Sequence, residues 1–399
     1  MMKVGTVGTG MVMGIMMTAM NEADGICIEA LYSRTEERGR QFAERYGVEK
    51  VYTRYEDLLA DPEVNWVYVC SPNSVHYSQT MQALEAGKNV LCEKPFATNA
   101  KQAEEMFAKA EEKGLLLYEA LTTPFLANYA LMKEQLKRIG DLKMVLAGYS
   151  QYDKKYEQLL RGEITNAFDP AMSGGALMDL NYYNVALLVS LYGEPETAVY
   201  YANVVRGIDT SGIAMLTYPG FVAECHGGKD TTGDNGVQFQ GDKGLVQVVG
   251  PCNSMSQIKA TVQDPDDPNP FGGWKKEEFP GNPPFTHWKE EVRELARIVG
   301  TGDRADCERR KATTLGTMRT IDRLRLSAGI VFAGDEAESA RKPKTLLRRS
   351  VRRRYRDRTF VRSRYFSEHR RRKSVQTLSH GSLDMDRDCD TIKLSQKEV

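Results

Sequence analysis

The stretch that decides the fold is KVGTVGTGMVMG, residues 3–14. It begins as a short apolar strand, turns on Gly8 and Gly10, and continues into an apolar run that predicts a helix. Such a turn lets backbone N–H groups approach a pyrophosphate at a helix N-terminus. Met13 takes the third position of the usual glycine fingerprint, and Gly14 follows one residue late. This imperfect glycine pattern is by itself a weak signal of dinucleotide binding. Its place between a strand and a helix favours dinucleotide binding over a purely structural turn.

Outward from this stretch, the N-terminal third of the chain alternates short apolar runs with charged helical stretches. The predicted strands are KVGTVG, CIEALYS, WVYVCSP, NVLCEKP and LLLYEA. Strands separated by helices at this spacing pair in parallel through right-handed crossovers. We therefore predict an α/β, doubly wound Rossmann domain over residues 1–121.

The pattern changes in the following part of the chain. TAVYYANVV, GVQFQGDKGLVQVVG and SQIKATVQD alternate at period two between Gly and Pro turns, which is typical of antiparallel strands. Helices are predicted over GALMDLNYYNVALLVSLYG and over a last pair that begins with HWKEEV. Residues 122–334 are thus predicted to form a C-terminal α/β domain with an open, mostly antiparallel sheet.

The end of the chain has another composition. Residues 1–335 carry 35 Lys and Arg against 45 Asp and Glu, whereas residues 336–399 carry 19 against 9. Residues 341–373 alone hold 16 basic residues, 13 of them Arg. Because high charge with few apolar positions opposes folding, we predict a disordered tail over residues 335–399, or sequence foreign to the domain. A phosphate-binding arm for nucleic acid or an anionic membrane is the less favoured alternative.

Composition excludes several other classes of protein. Seven cysteines without a C-x-x-C pair support neither a disulfide framework nor a zinc ribbon, so no metal site is predicted. No apolar run is long enough to predict a membrane span. The Met-rich run after Lys3 lacks the small-residue cleavage site of a signal peptide, and we expect a cytoplasmic protein.

The end of the second predicted strand bears on the choice of cofactor. An NAD-selective site places a carboxylate there, on the ribose hydroxyls. This chain offers Tyr32, Ser33 and Arg34 instead. A hydroxyl and a guanidinium suit a 2′-phosphate, so NADP(H) is favoured over NAD(H). Alternatively, Arg34 is only a solvated residue of the next helix.

A predicted buried strand ends in Glu93 and Lys94, within VLCEKPFA. The carboxyl ends of parallel strands face the ligand crevice, so we expect Lys94 where a nicotinamide ring meets its substrate. A buried ammonium is costly without a partner, and such a cost is usually retained for function. Glu93 is a candidate partner, and a purely structural ion pair is the alternative.

A complementary pair lies in SGGALMDLNYYN, residues 173–184. Asp179 and Tyr183 are four residues apart and so share one helix face. Their carboxylate and phenol could meet Lys94 across a crevice between the domains. The spacing is equally compatible with local pairing of Asp179 and core packing of Tyr183.

In their order and spacing, VGTVGTG, SPN with His76, GKNVLCEKP and GGALMDLNYYN resemble the Gfo/Idh/MocA family of NAD(P)-dependent oxidoreductases. The resemblance covers about residues 1–334. It is greatest to the branch with dimeric dihydrodiol dehydrogenase and glucose-fructose oxidoreductase, in which tyrosine replaces a commoner histidine. It implies homodimers or homotetramers formed through the open sheet.

The resemblance also implies roles for individual residues. Lys94 and Tyr183 would be catalytic with Asp179 in support, and all three would contact the substrate. Glu119 is a further candidate substrate contact. The segment after it lacks an Arg that is common in the family, which leaves the substrate contacts of this region open, and Asn181 stands where many family members have Gly. The candidate cofactor-binding residues are Gly8, Gly10, Met11, Ser33, Arg34, Pro72, Asn73, His76, Glu93 and Lys94.

The implied reaction moves a hydride between the nicotinamide and a carbinol or carbonyl carbon of a small sugar, polyol or diol. Tyr183 is the candidate acid/base, and the ammonium of Lys94 is expected to bring its pKa closer to neutrality. A non-catalytic sensor that binds a dinucleotide or a sugar is the alternative function.

Overall fold

Two sheets organise the part of the chain that the structure describes. The structure is a computed structural model, and it describes residues 1–269, 272–283 and 286–335, which belong to one compact unit. Apart from Asp335, the tail predicted over residues 335–399 lies outside the described residues.

The first sheet is the predicted Rossmann sheet. Its six parallel strands lie in the order β3-β2-β1-β4-β5-β6, which is the usual order of a dinucleotide-binding fold. The strands are β1 (Met2–Val7), β2 (Ile26–Tyr32), β3 (Lys50–Tyr52), β4 (Trp66–Val69), β5 (Asn89–Glu93) and β6 (Leu117–Ala120). The helices between them are α1 (Met11–Asn21), α2 (Glu36–Tyr46), α3 (Tyr55–Ala60), α4 (His76–Glu85) and α5 (Ala100–Lys113).

The second sheet is open and mostly antiparallel, as predicted. Its eight strands lie in the order β14-β13-β12-β11-β7-β10-β9-β8, and only the β7–β10 pair is parallel. The elements in chain order are α6 (Ala127–Leu136), β7 (Leu142–Ser150), α7 (Lys155–Leu160), α8 (Tyr182–Tyr192), β8 (Thr197–Val205), β9 (Ile208–Tyr218), β10 (Phe221–Gly228), β11 (Gly236–Gly241), β12 (Gly244–Val249), β13 (Gln257–Asp264), β14 (Gly273–Glu278), α9 (His287–Thr301) and α10 (Arg304–Ser327). The sequence did not predict β14, because its GWKKEE has little apolar alternation.

The two faces of the second sheet differ. One face packs against α8 and α10, and its alternating residues, such as Leu216 and Val145, are fully buried. The opposite face, here called the open face, leaves apolar side chains exposed on neighbouring strands. They are Val199, Tyr201, Ile213, Met215, Val222 and Met144, whose strand registers place them on one side.

The displaced glycine of the first turn has a packing role. Met13 is fully buried in the core between the sheet and its helices. A Cβ on Gly14 would lie 2.4 Å from the hydroxyl oxygen of Tyr46, so a side chain here would displace the Tyr46 ring that packs from α2 onto α1. The unusual fingerprint thus preserves close packing one residue later.

Asn181, where family members commonly have Gly, is accommodated by the facing strand. A Cβ on Gly227 of β10 would lie 2.7 Å from the Cβ of Asn181. The Asn181 amide donates to the backbone oxygen of Cys225 at 2.9 Å and accepts from Asn184 at 3.0 Å. The close approach of β10 to Asn181 therefore depends on glycine at position 227.

Within the described ranges, we find no helix with the length and hydrophobicity that crossing a membrane requires.

Candidate active site

A crevice of about 1030 Å³ lies at the carboxyl ends of the parallel strands. The start of α1 and the residues after β4 and β5 form one wall, and the end of β7 with residues that follow β7 and β10 forms the other. This is where an open parallel sheet binds its ligands. Its lining includes Met11, Pro72, Asn73, Lys94, Tyr149, Asp153, Asp179, Tyr183 and Lys229.

The turn after β1 fits a pyrophosphate. Gly8 has φ +120°, and a Cβ there would lie 2.5 Å from the backbone oxygen of Cys70, so only glycine fits. A Cβ on Gly10 would meet nothing within 4 Å, and no side chain caps α1 at this position. Gly10 therefore offers no side-chain acceptor to the start of α1 and leaves open space there, as anion binding at a helix N-terminus requires. Met11 follows with 81% of its surface exposed.

At the end of β2, the structure separates the two residues predicted for a 2′-phosphate. Ser33 is buried beside Gly39 of α2, whereas Arg34 is exposed. Sequence reasoning missed Arg38, whose guanidinium donates to the hydroxyl and the backbone oxygen of Thr9 at 2.7 and 3.0 Å. Because Thr9 lies between the two glycines of the turn, Arg38 braces that turn from α2.

Pro72 and Asn73 line the crevice, but His76 does not. The Asn73 amide donates to the backbone oxygen of Ser173 at 2.9 Å, across to the second half of the chain. His76 is 1% exposed, and its ring nitrogens lie 3.0 and 2.9 Å from the backbone oxygens of Pro95 and Ser71. Burial lowers the pKa of His76. The expectation that His76 contacts the cofactor is therefore corrected: it braces the strand ends from behind.

Glu93 is not the partner of the Lys94 ammonium, which corrects a second expectation. Its carboxylate accepts from the hydroxyl of Tyr68 at 2.5 Å and from the backbone N–H of Lys94 at 3.2 Å. Burial raises the pKa of Glu93. The side chain fixes the backbone at the end of β5 and does not line the crevice.

The partner of Lys94 is Asp179, 85 positions later in the chain. The ammonium nitrogen lies 2.8 Å from Asp179 Oδ1 and 3.1 Å from the Asp179 backbone oxygen. Burial lowers the pKa of Lys94, but the nearby negative charge of Asp179 outweighs it and the net pKa is raised. Two of the three ammonium protons are thus held, and one remains for an oxygen in the crevice.

Asp179 lies in a single π-helical turn, Leu177–Asn181, that precedes α8. The sequence predicted one regular helix here, and such π-turns are frequent at functional sites. The second carboxylate oxygen of Asp179 lies 2.5 Å from the ammonium of Lys229, which directly follows β10. Burial alone would raise the pKa of Asp179, but Lys94 and Lys229 hold it well below its usual range.

Tyr183 lies under Lys94, whose ammonium nitrogen is 4.6 Å from the centre of the phenol ring. The ring also packs at an angle against that of Tyr149, with 6.1 Å between ring centres. Burial raises the pKa of Tyr183 well above its usual range, and the opposing effect of Lys94 does not cancel it. Lys94 lowers the pKa of Tyr183, as expected, but the net change in that pKa is an increase, which is opposite to the prediction.

Glu119 lies behind this cluster, not in the crevice, which corrects its expected role as a substrate contact. It is 5% exposed and accepts from the hydroxyls of Tyr182 and Thr314 at 2.5 and 2.7 Å. Burial raises its pKa to about 7. The sequence could not reveal this, because the partners lie 63 and 195 positions away.

Lys229 is the main residue that the sequence analysis missed. A signal for it was present, since CHGGKD places a lysine directly after a predicted strand, as VLCEKP does. Within the described ranges, no group of His, Cys, Asp or Glu side chains could hold a metal ion.

Two family models match the chain. The model for the oxidoreductase family with an NAD-binding Rossmann fold (GFO_IDH_MocA) matches residues 2–121, and the model for the GFO/IDH/MocA C-terminal domain matches residues 129–247.

Individual relatives match most of the chain. A scyllo-inositol 2-dehydrogenase (NADP(+)) of Bacillus subtilis is 29% identical over 84% of this chain and 100% of its own. An uncharacterized oxidoreductase of Escherichia coli is 31% identical over 67% and 82%. A trans-1,2-dihydrobenzene-1,2-diol dehydrogenase of Sus scrofa is 30% identical over 61% and 72%. Among solved structures, a 3-ketoreductase from Actinomadura kijaniata in complex with NADP and TDP-benzene matches with TM-score 0.69 and 25% identity, over 82% of this chain and 97% of that one.

Proposed function

The chain belongs to the Gfo/Idh/MocA family of oxidoreductases and is an NAD(P)-dependent dehydrogenase, and we propose that its substrate is a cyclic polyol or vicinal diol bound in the crevice beside Lys94 and Tyr183. The relatives named for scyllo-inositol and for a dihydrodiol support this substrate class. The observation that carries the proposal is the junction of Lys94, Asp179 and Tyr183 in the crevice. Three polar groups there could bind adjacent hydroxyls of one small ring.

The residues around the first turn would hold the dinucleotide. Gly8 and Gly10 leave room for the pyrophosphate at the start of α1, and Pro72 and Asn73 line the path from that turn to Lys94. When bound, the cofactor supplies the nicotinamide carbon that accepts or gives the hydride. Arg34 and Arg38 would receive a 2′-phosphate, and β2 ends without the carboxylate that an NAD-selective site places at that position, so we favour NADP(H).

Lys94 and Tyr183 would handle the oxygen-bound proton. Both groups hold their protons firmly, since the pKa of each is raised. The remaining Lys94 proton would hydrogen-bond the substrate oxygen, and the Tyr183 phenol would donate its proton to that oxygen as a carbonyl is reduced. In the oxidative direction Tyr183 would first have to release its own proton to solvent, and the phenolate would then take the proton of the carbinol. Asp179 stays ionised and orients Lys94.

The test is a steady-state assay of the purified chain with scyllo-inositol and with trans-1,2-dihydrobenzene-1,2-diol, each with NADP⁺ and NAD⁺. We expect turnover of at least one of these substrates and its loss in Lys94→Met. Binding of NADPH without turnover of either compound, or of the corresponding ketones in reverse, would favour the sensor alternative.

We also propose that a second copy of the chain covers the open face of the second sheet. Six apolar side chains on this face are between 37% and 65% exposed, with Tyr201 the most exposed. An apolar surface of this kind on one layer of strands is typical of a protein interface. Sedimentation velocity is the direct measurement of the expected dimer or tetramer.

A further inference from the structure

Lys229 is a buried cation for which the reaction as proposed above has no role. It is 4% exposed, and its ammonium lies 2.5 Å from Asp179 Oδ2 and 3.4 Å from an oxygen of Asp153. The ring of Phe168 covers it, with 5.4 Å between the nitrogen and the ring centre. A lysine is rarely this buried unless it is paired.

The backbone of Lys229 is fixed on both sides. Its N–H donates to the backbone oxygen of Thr210 on β9 at 2.8 Å, and its carbonyl accepts from the N–H of Asp153 at 2.8 Å. Lys229 therefore joins the end of β10 to the segment that follows β7, and both segments line the crevice. Its ammonium has little freedom to leave Asp179.

The carboxylate of Asp179 is shared between two ammonium groups. Oδ1 lies 2.8 Å from Lys94 and Oδ2 lies 2.5 Å from Lys229. In a site this poorly hydrated, each cation weakens the hold of the carboxylate on the other. Asp153, at 3.4 Å from Lys229, adds a second negative charge, so the charges of the two aspartates equal those of the two lysines.

We propose that Lys229 is a positioning residue, which holds the second carboxylate oxygen of Asp179 and thereby limits how strongly Asp179 holds the Lys94 ammonium. Because Oδ2 of Asp179 is bound to Lys229, the carboxylate presents only Oδ1 to Lys94. The third ammonium proton of Lys94 is left for the substrate. The role of Lys94 in catalysis rests on the proposed function, whereas the sharing of Asp179 does not.

Other charged and titratable groups also face Lys94, and they are the same in every variant considered below. They are Tyr183 from α8, Tyr149 from β7, Glu93 from β5 itself, and the buried His76 and Glu119. A change caused by substitution of Lys229 therefore reports the loss of one positive charge beside Asp179.

The test is the pH dependence of Lys94 acetylation by acetic anhydride in the full chain, read by mass spectrometry of the Lys94 peptide. Only the deprotonated amine reacts, and the Lys94 side chain is 15% exposed to the crevice. In Lys229→Met, Asp179 no longer shares its negative charge with Lys229, so the pKa of Lys94 should rise. Each unit of increase slows acetylation about tenfold at a given pH below the pKa. Lys229→Arg, which keeps the charge, should acetylate as the unchanged chain does.

A second variant works in the opposite direction and is safer for folding. Asp153→Asn removes a negative charge at a side chain that is 23% exposed, so Lys229 turns more fully to Asp179 and Lys94 acetylation should become faster. Unchanged or faster labelling in Lys229→Met, or slower labelling in Asp153→Asn, would overturn the proposal. Thermal melts of all three variants report whether the fold is intact.

The same variants bear on catalysis through kcat/KM for scyllo-inositol with NADP⁺ as a function of pH. The alkaline limb should move to higher pH in Lys229→Met and return in Lys229→Arg. Absence of turnover in the unchanged chain would count against the proposed substrate, and the labelling result would still decide the role of Lys229.

Discussion

The ammonium of Lys94 lies over the ring of Tyr183, 4.6 Å from its centre. This contact is a cation–π interaction, which stabilises the positive charge of Lys94 without requiring a phenolate. The backbone oxygen and the Oδ1 oxygen of Asp179 each accept a hydrogen bond from the ammonium. The arrangement keeps both the lysine and the tyrosine protonated, and two protonated groups at one oxygen suit the delivery of a proton to a carbonyl as it is reduced.

Tyr183→Phe should lower kcat by about two orders of magnitude or more, because it removes the donated proton. The ring remains, so NADPH affinity and the melting temperature should stay close to those of the unchanged chain. Steady-state rates and NADPH titration by fluorescence check this. Tyr149→Phe is the matched control on the neighbouring ring, for which we expect the smaller loss. Full activity in Tyr183→Phe would move proton transfer to Lys94.

Arg38→Ala should weaken NADPH more than NADH. Arg38 braces the glycine turn through Thr9 and lies near the expected 2′-phosphate, which only NADPH carries. The KM for each cofactor gives the comparison. Arg40→Ala is the control on the same helix, since its guanidinium contacts Glu36 instead. Equal loss for the two cofactors would leave Arg38 a purely structural brace.

Glu291→Gln should flatten the pH dependence of stability. Burial and the charge of Glu93 raise the pKa of Glu291 from 4.5 to about 8, and its Oε1 has no hydrogen-bond partner among the described residues. Between these values the folded chain keeps a proton that the unfolded chain has released. The stability contribution is therefore complete below pH 4.5 and is lost as the pH rises toward about 8, at up to about 1.4 kcal/mol per unit.

Urea unfolding at several pH values between 4.5 and 8 measures this effect. Glu308→Gln on α10 is an exposed control, and it should keep the pH dependence of the unchanged chain. An unchanged slope in Glu291→Gln would mean that Glu291 is ionised in the folded state.

Gly227→Ala should destabilise the fold, on the order of 1–3 kcal/mol, because the added Cβ would lie 2.7 Å from that of Asn181. Asn181→Gly carries its own cost through its lost hydrogen bonds, but it removes the clash. The double variant should therefore be more stable than the sum of the single changes predicts. Additive free energies of unfolding would show that the two positions do not compete for space.

Ile213→Lys should shift the chain toward monomer in sedimentation velocity. Ile213 is 45% exposed in the middle of the open face, and a charge there would be buried by a second copy. Val331→Lys is a control of matched exposure, 44%, outside that face. A monomeric unchanged chain, or a dimer that tolerates Ile213→Lys, would rule out the open face as the interface.

The sequence predicted much of the fold because its signals are local and periodic. The glycine turn after β1, the alternation of strands and helices, and the period-two strands of the second sheet each depend on near neighbours in the chain. The prediction of one regular helix across Asp179 was wrong, because the π-turn depends on packing against β7 and β10. The strand GWKKEE was missed because pairing with β13, not its own pattern, makes it a strand.

Taken by itself, the sequence determined which residues follow the parallel strands, and two of these, Asn73 and Lys94, line the crevice. Only the tertiary structure decided how the charges pair. Lys94 pairs with Asp179 rather than with the adjacent Glu93, and Lys229 binds the other carboxylate oxygen of Asp179. Glu119 and His76 are buried away from the crevice. The physical reason is that burial and charge pairing depend on segments brought together from distant parts of the chain, which no local pattern records.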